Sequence, residues 1–393
     1  MRMKNFDADI IIVGGGLVGA ALALALKKTS LSVILLEGRA PCLDFDLSTW
    51  DQRVYAISRA SRQLLTQIGA WQRIRPERLS PICSMKIRGD AVDALLEFNA
   101  LESGVDELAF IVENRELQRA LWLALADCSH VDIITPASAQ ALSVDLEAAT
   151  LTLADQRQFR ARLVVGADGA QSWVRGQAGI QASTKPYAQF GVVANFAIEK
   201  PHYGCAQQWF KTDGILAWLP LAEQKMSMVW SCDAELKNEL LNLSPSQLAA
   251  KVAQAGNASL GELTIITPPA AFELKLNQIE QCVKPRLALV GDAAHTVHPL
   301  AGQGVNLGFG DVAELADLLT KTHPERIGDY LVLRRYERAR REPVRLMQSV
   351  CDGLQQLFNN HHPVLMRLRN FGLGFTNALP WLKRQLIRHA MDS

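Results

Sequence analysis

The sequence predicts an α/β fold in which a Rossmann-like (GxGxxG) domain is interleaved with a mainly antiparallel β-sheet domain and followed by a C-terminal helical region. Three observations carry this. The β-branched run Asp9-Ile10-Ile11-Ile12-Val13 leads straight into Gly14-Gly15-Gly16-Leu17-Val18-Gly19 and an Ala/Leu-rich helical stretch. Two later apolar runs end in turns, Gly166-Ala167-Asp168-Gly169 and Gly291-Asp292. Between them, residues 187–276 hold a series of short strand candidates with a single helix.

With 393 residues, 49% of them hydrophobic, the chain can bury one large core or two intimate ones. Forty-one Lys+Arg against 40 Asp+Glu leave a net charge of +1, so no whole-chain field points to nucleic acid. Seven scattered cysteines with no CxxC pair fit a reduced, cytoplasmic setting. The N-terminus lacks the layout of a signal peptide, and no apolar run reaches the roughly 18–20 residues of a transmembrane helix. A soluble or peripheral protein is expected.

In chain order, Ser32 to Leu36 reads as the second strand of a βαβ unit, and Glu37 stands at its end. The glycines permit a tight turn and close approach of a pyrophosphate, and Glu37 would accept from a ribose 2′-hydroxyl. FAD and NAD both fit these residues. Arg39 and Arg53 follow, and Ser58 to Gly69 reads as a helix. Short strands, mostly antiparallel, are expected over 82–112, and a helix from Glu113 through Leu125. Val131 to Ile134 and Leu142 to Leu153 read as a hairpin layer. Leu163 to Ala170 is a strand running into a turn, where Asp168 can cap the following helix.

In the second layer, strands are expected over 191–197, 207–210, 215–219, 226–231 and 271–276, with a helix over 246–255. Trp209, Phe210, Trp218, Met226, Met228 and Trp230 read as core, with one sheet face free to line an aromatic pocket. After the strand 287–290, Asp292 can accept from sugar-like hydroxyls, while Gly302 and Gly304 let backbone approach a ligand ahead of a helix with Val312, Leu315 and Leu319. That helix's N-terminus favours a partner that is or becomes negative. His295 and His298 invite a metal reading, but no Cys, His or carboxylate set completes a shell, so no metal is expected. With no G-x-S-x-G nucleophile either, the chemistry must come from a cofactor. Between Gly353 and Met391 lie five Lys/Arg and no acidic residue. That tail suits either packing on the main domain or an anionic membrane surface or acidic partner.

Gly14-x-Gly16-x-x-Gly19, Glu37, Gly166-Ala167-Asp168-Gly169 and Gly291-Asp292 through Asn306 resemble the landmark motifs of the class A FAD monooxygenases. More narrowly, Ile111-Val112-Glu113-Asn114-Arg115 with Leu121-Trp122, the stretch from Gly291 to Asn306, and Leu382-Lys383-Arg384-Gln385 resemble the ubiquinone-biosynthesis hydroxylase family, nearest to members acting late on a methoxy-substituted polyprenyl benzoquinol. The resemblance implies non-covalent FAD, held first by Gly14, Gly16, Leu17, Gly19, Glu37 and Arg39. Arg53 would lie near the cofactor, and Arg115 and Gln118 on a helix beside the flavin. Asp168 and Gly169 would approach the pyrophosphate and a visiting NAD(P)H, the transient reductant. Asp292, Pro299, Gly302, Gln303, Gly304, Val305 and Asn306 would form the second flavin motif, with His298 and Pro299 the catalytic candidates.

The implied reaction is hydroxylation of a lipophilic phenol or quinol ring by O2 through a flavin C4a-hydroperoxide. The division expected is 1–80, 105–180 and 280–350 for the FAD domain, 81–104 and 181–279 for the substrate sheet, and 351–393 for the tail. The tail is the candidate contact with the inner membrane surface or a biosynthetic complex. A flavin reductase acting on a prenylated substrate, or a non-catalytic flavin-bound scaffold, would share the same motifs.

Overall fold

The computed structural model describes residues 6–89, 94–211, 214–296 and 304–358. Its organising strand is β1 (Ala8–Val13), which pairs in parallel with β2 (Val33–Leu36) on one side and β11 (Gln158–Gly166) on the other. The sheet order is β17 (Val283–Lys284), β18 (Leu287–Leu289), β11, β1, β2, β8 (Val131–Ile134), with the hairpin β9 (Ala139–Val144) and β10 (Ala149–Leu153) attached to β11. A parallel strand covered on both faces has to be apolar throughout, which is why β1 reads as an unbroken run. Its alternate side chains feed two cores. Ile10 and Ile12 pack with α1 (Leu17–Ala25), α3 (Asn114–Ala126) and α7 (Gly304–Thr320), whereas Ile11 and Val13 pack with Ala149, Leu151 and Leu153 of the hairpin. The three glycine-bearing turns follow β1, β11 and β18, which are neighbours in the sheet. Motifs some 280 residues apart in the chain therefore meet at one carboxyl edge, where ligands of such sheets bind.

The second sheet runs β16 (Leu263–Ile279), β12 (Ala182–Ile198), β15 (Lys225–Cys232), β14 (Gly214–Leu221), β13 (Cys205–Lys211), β5 (Ser84–Arg88), β6 (Leu95–Asn99). Helices α5 (Ala234–Asn242) and α6 (Pro245–Ala255) cover one face. A capping box at Ser244 and Gln247 starts α6 one residue before the expected helix. The opposite face packs at one end on a small sheet of β3 (Val54–Ser58), β7 (Ala109–Glu113) and β4 (Ser80–Ile82). Helix α2 (Arg59–Gln67) starts at the cap Ser58, and Gly69 at φ +80° ends that stretch as its sequence implies.

Several expectations need correction. The segment 131–134 is no hairpin strand but the parallel edge of the first sheet, and the hairpin is β9–β10. Strand β5 pairs antiparallel with β6 but parallel with β13. Trp209, Trp218, Met226, Met228 and Trp230, by contrast, lie as expected in a core, the helix-covered one with Leu248 and Val252. Helix α7 starts at Gly304, eight residues before the apolar periodicity becomes plain. Its glycines are packing positions, since a methyl at Gly308 would lie 2.6 Å from Val18 and one at Gly310 2.7 Å from Arg340. Helices α5 and α8 (Tyr330–Phe358) were not anticipated. Residues 297–303 and the tail beyond 358 lie outside the described residues, and with them His298, Pro299, Gly302 and Gln303.

Candidate active site

The turn after β1 is built by close backbone approach. Gly14 has φ +106°, and a methyl there would sit 2.4 Å from Ala167 O; one on Gly19 would sit 1.9 Å from Gly14 O. These glycines bring the first turn against the Gly166-Ala167-Asp168-Gly169 turn and against its own helix. Gly16 differs. It is the N-cap of α1 with ordinary dihedrals, and no heavy atom lies within 4 Å of where its Cβ would be. Leu17 opens the helix and is buried in the first core. No side chain caps α1 and no acid occupies its first turn, so its leading amides face the open side of Gly16.

Glu37, at the end of β2, accepts from Gly15 N at 2.6 Å and from Arg39 N at 3.0 Å, and Arg39 itself is exposed beyond it. Trp122 of α3 donates from Nε1 to Gly15 O at 2.8 Å, with Gln118 half-buried one turn earlier on the same face. Trp122 had been noted only as part of the family pattern, and nothing in the spacing of one helix reveals that its indole props a turn 107 residues away.

Asp168 acts on its own loop. Ser172 Oγ donates to it at 2.5 Å and Val174 N at 3.0 Å. Arg175, in the short helix α4 (Trp173–Gln177), donates to Ala170 O at 2.8 Å and to Ala293 O at 2.9 Å, joining the second turn to the third. Gly169 has φ +81°, and no heavy atom lies within 4 Å of its Cβ position.

In the third turn, burial pushes the Asp292 carboxyl above its ordinary range, opposed by the charges of Arg53 and His295. The guanidinium of Arg53 stacks 5.3 Å from the centre of the Tyr55 ring, and burial raises the Tyr55 phenol to about 12. Arg53, Tyr55 and Asp292 are thus neighbours. Gly304 and Val305 begin α7. Asn306, buried beside them, spends its amide on β3: Nδ2 donates to Ala56 O at 2.8 Å, and Oδ1 accepts from Ser58 N at 3.1 Å. Asp311, one turn further, was not singled out from the sequence. It accepts from Gly291 N at 2.8 Å, lies 2.7 Å from His295 Nε2 and 2.7 Å from Arg340 Nε. Burial alone would raise its carboxyl, but His295 and Arg340 outweigh that and hold it below the usual range. His295 is thus engaged with a carboxylate.

Arg115 sits in a cage with buried Glu113, at 3.1 Å from its Nε, with Thr49 Oγ1 at 2.8 Å, and over the Phe45 ring at 4.3 Å. Glu113 also takes an ion pair from Arg78 at 2.9 Å. These contacts fold the 44–53 loop onto the start of α3.

The described residues fit a flavin dinucleotide. An uncapped helix N-terminus suits its pyrophosphate, the carboxylate of Glu37 suits a ribose, and Gly16 and Gly169 border open space at the edge where three turns meet.

Comparison with known proteins agrees with this geometry. The model of the FAD binding domain family matches residues 7–349. The 3-demethoxyubiquinol 3-hydroxylase of Escherichia coli is 38% identical over 391 residues, 99% of this chain and 100% of that protein. The ubiquinone hydroxylase UbiL of Rhodospirillum rubrum is 36% identical, covering 98% of this chain and 90% of its own. Among solved structures, PqsL of Pseudomonas aeruginosa, a probable FAD-dependent monooxygenase, superposes with a TM-score of 0.78 at 22% identity, over 93% of this chain and 99% of that one, a likeness of fold. With the family model spanning most of its length and these relatives aligned end to end, the chain belongs to the FAD-dependent ubiquinone-biosynthesis hydroxylase family.

Proposed function

We propose that the protein is an FAD-dependent monooxygenase that hydroxylates the ring of a polyprenyl phenol or benzoquinol intermediate in ubiquinone biosynthesis, taking electrons from NAD(P)H and oxygen from O2. The observation that carries this is the convergence of the three turns on one edge of the parallel sheet, in a chain that aligns along its whole length with ubiquinone hydroxylases. When bound, reduced FAD supplies the activation of dioxygen and the transfer of one oxygen atom to an electron-rich ring. The chain's own residues bind and orient. The amides at the start of α1 would receive the pyrophosphate, Glu37 would accept from the adenosine ribose, and Asp292, whose burial pushes its carboxyl up against the opposing charge of Arg53, would accept from the hydroxyls of the flavin's sugar chain. In this reading the antiparallel sheet would cover this edge and keep water from it.

For the residues outside the described set, the proposal places Gly302 and Gln303 in the second flavin motif and His298 and Pro299 near the reacting edge of the flavin ring. The membrane or complex contact proposed for the tail concerns residues outside the described set, and no described helix is long and apolar enough to cross a membrane. The test is mass spectrometry of quinone intermediates in a strain lacking the protein. Accumulation of a prenylated intermediate short of one ring hydroxyl is expected, and an unchanged quinone profile contradicts the proposal.

A further inference from the structure

Two hydrogen bonds cross from the antiparallel sheet to the loop that carries Arg53. Asn195 Nδ2 donates to Asp51 O at 2.8 Å, and Gln52 Nε2 donates to Pro268 O at 2.5 Å. Asn195 is fully buried in β12, and the register of β12 against β16 breaks on both sides of it. Such a bulge turns a side chain out of the ladder's regular alternation, and here the backbone N–H of Asn195 leaves the ladder and donates to Thr267 Oγ1 at 2.8 Å. From the other side, Asp51 N donates to the buried Glu113 carboxylate at 2.6 Å. The Asp51 carboxylate accepts from Arg53 N at 3.0 Å and Arg115 N at 3.1 Å. The backbone of this loop is therefore gripped between the sheet and the start of α3, and Arg53 leaves it beside Tyr55 and Asp292.

Packing does not account for an asparagine here. Asn195 Oδ1 and, directly across the strand pair, Ser227 Oγ are buried with no hydrogen-bond partner, and such orphaned polar atoms lower stability. An apolar residue would serve a purely structural sheet better.

We propose that Asn195 is a positioning residue that, through Asp51, fixes the loop from which Arg53 reaches over Tyr55 toward Asp292, so that the antiparallel sheet sets the geometry of the cofactor site. The inference rests on the reading of Arg53 and Asp292 as FAD-facing groups. Asn195→Leu keeps the volume while removing both the donor and the orphaned acceptor. FAD affinity is measured by flavin fluorescence on the apoprotein for the parent, Asn195→Leu, Arg53→Ala and the double variant, across pH, with apoprotein melting recorded for each.

Each single change is expected to weaken FAD by about tenfold, the scale of one lost hydrogen bond to a charged site, and the double variant is expected to bind no worse than Arg53→Ala. The affinity of Asn195→Leu should also fall off at a higher pH than the parent's. Arg53 opposes the burial that raises the Asp292 carboxyl, while His295, Asp311 and Tyr55, which also act on that carboxyl or are acted on by it, are unchanged. If Asn195→Leu does not fold, Asn195→Ser carries the same expectations. Additive losses, or parental affinity and pH profile in Asn195→Leu while Arg53→Ala is weakened, overturn the proposal. Parental affinity in Arg53→Ala overturns the cofactor reading of Arg53 and the proposal together.

Discussion

Among the glycines of the first turn, Gly14 and Gly19 are required by the protein itself, because a methyl at either would strike backbone. Gly16 is not, so it separates folding from binding. Gly16→Ala should leave the unfolding free energy of the apoprotein within about 1 kcal/mol of the parent's, the usual scale for a cap change, while lowering FAD occupancy on purification. Equal loss of stability and of flavin would show that this edge is not the cofactor's. Asp292 makes the complementary case. A carboxyl whose pKa is raised on folding leaves the folded state preferring its protonated form, so at neutral pH the ionised group costs stability, and that cost disappears as pH falls toward the ordinary value of 3.8. Asp292→Asn should therefore raise the Tm of the apoprotein at neutral pH, by an amount that shrinks on acidification, while weakening FAD. A lower Tm at neutral pH would contradict that assignment. These residues were legible in the sequence because each stands right after an apolar strand. Tyr55 and Asn195 were not, since their significance lies in contacts made across sheets.

Helix α7 shows where a reading by period fails. Its first two turns, Gly304 to Asp311, are rich in glycine and read as loop, yet Gly308 and Gly310 stand where a Cβ would crowd Val18 of α1 and Arg340 of α8. The helix's place is fixed by Asp311, which ties the Gly291 amide, His295 and Arg340 to one buried carboxylate. Removing one member of a buried charge cluster leaves the others uncompensated, so Asp311→Ala should cost about 3–5 kcal/mol in chemical denaturation. The sign of the pH effect follows from the lowered carboxyl. Its contribution is present above the unfolded value of 3.8 and is lost as pH falls through the folded value, so the gap between parent and variant should close in acid. Denaturation midpoints within error of the parent at neutral pH would exclude this role. The signal that could have revealed Asp311 is its acid in an otherwise apolar helical stretch, where an unpaired charge would not be tolerated.

At the scale of the whole molecule, the first core draws side chains from Ile10 to Tyr336, while the antiparallel sheet is built almost wholly from residues 182–279, with β5 and β6 added from before α3. The parallel sheet, the three converging turns and most strands of the second sheet were readable from local pattern, because buried parallel strands and alternating antiparallel ones leave different periods. Which face of the second sheet meets the cofactor edge was not readable, since α5 carries no signal read from the sequence and the period of α6 does not say which sheet face it covers. In the proposed function, a flavin bound at the first sheet would present its ring to a substrate held by the second. The central claim is thus a single oxygen-transfer site made from both. It is tested most directly by supplying the FAD-loaded protein with a polyprenyl benzoquinol substrate, NAD(P)H and isotopically heavy dioxygen, and reading the mass of the product. One heavy oxygen atom in the new ring hydroxyl is the predicted result; oxygen drawn from water, or reductant consumed with an unaltered ring, would contradict it.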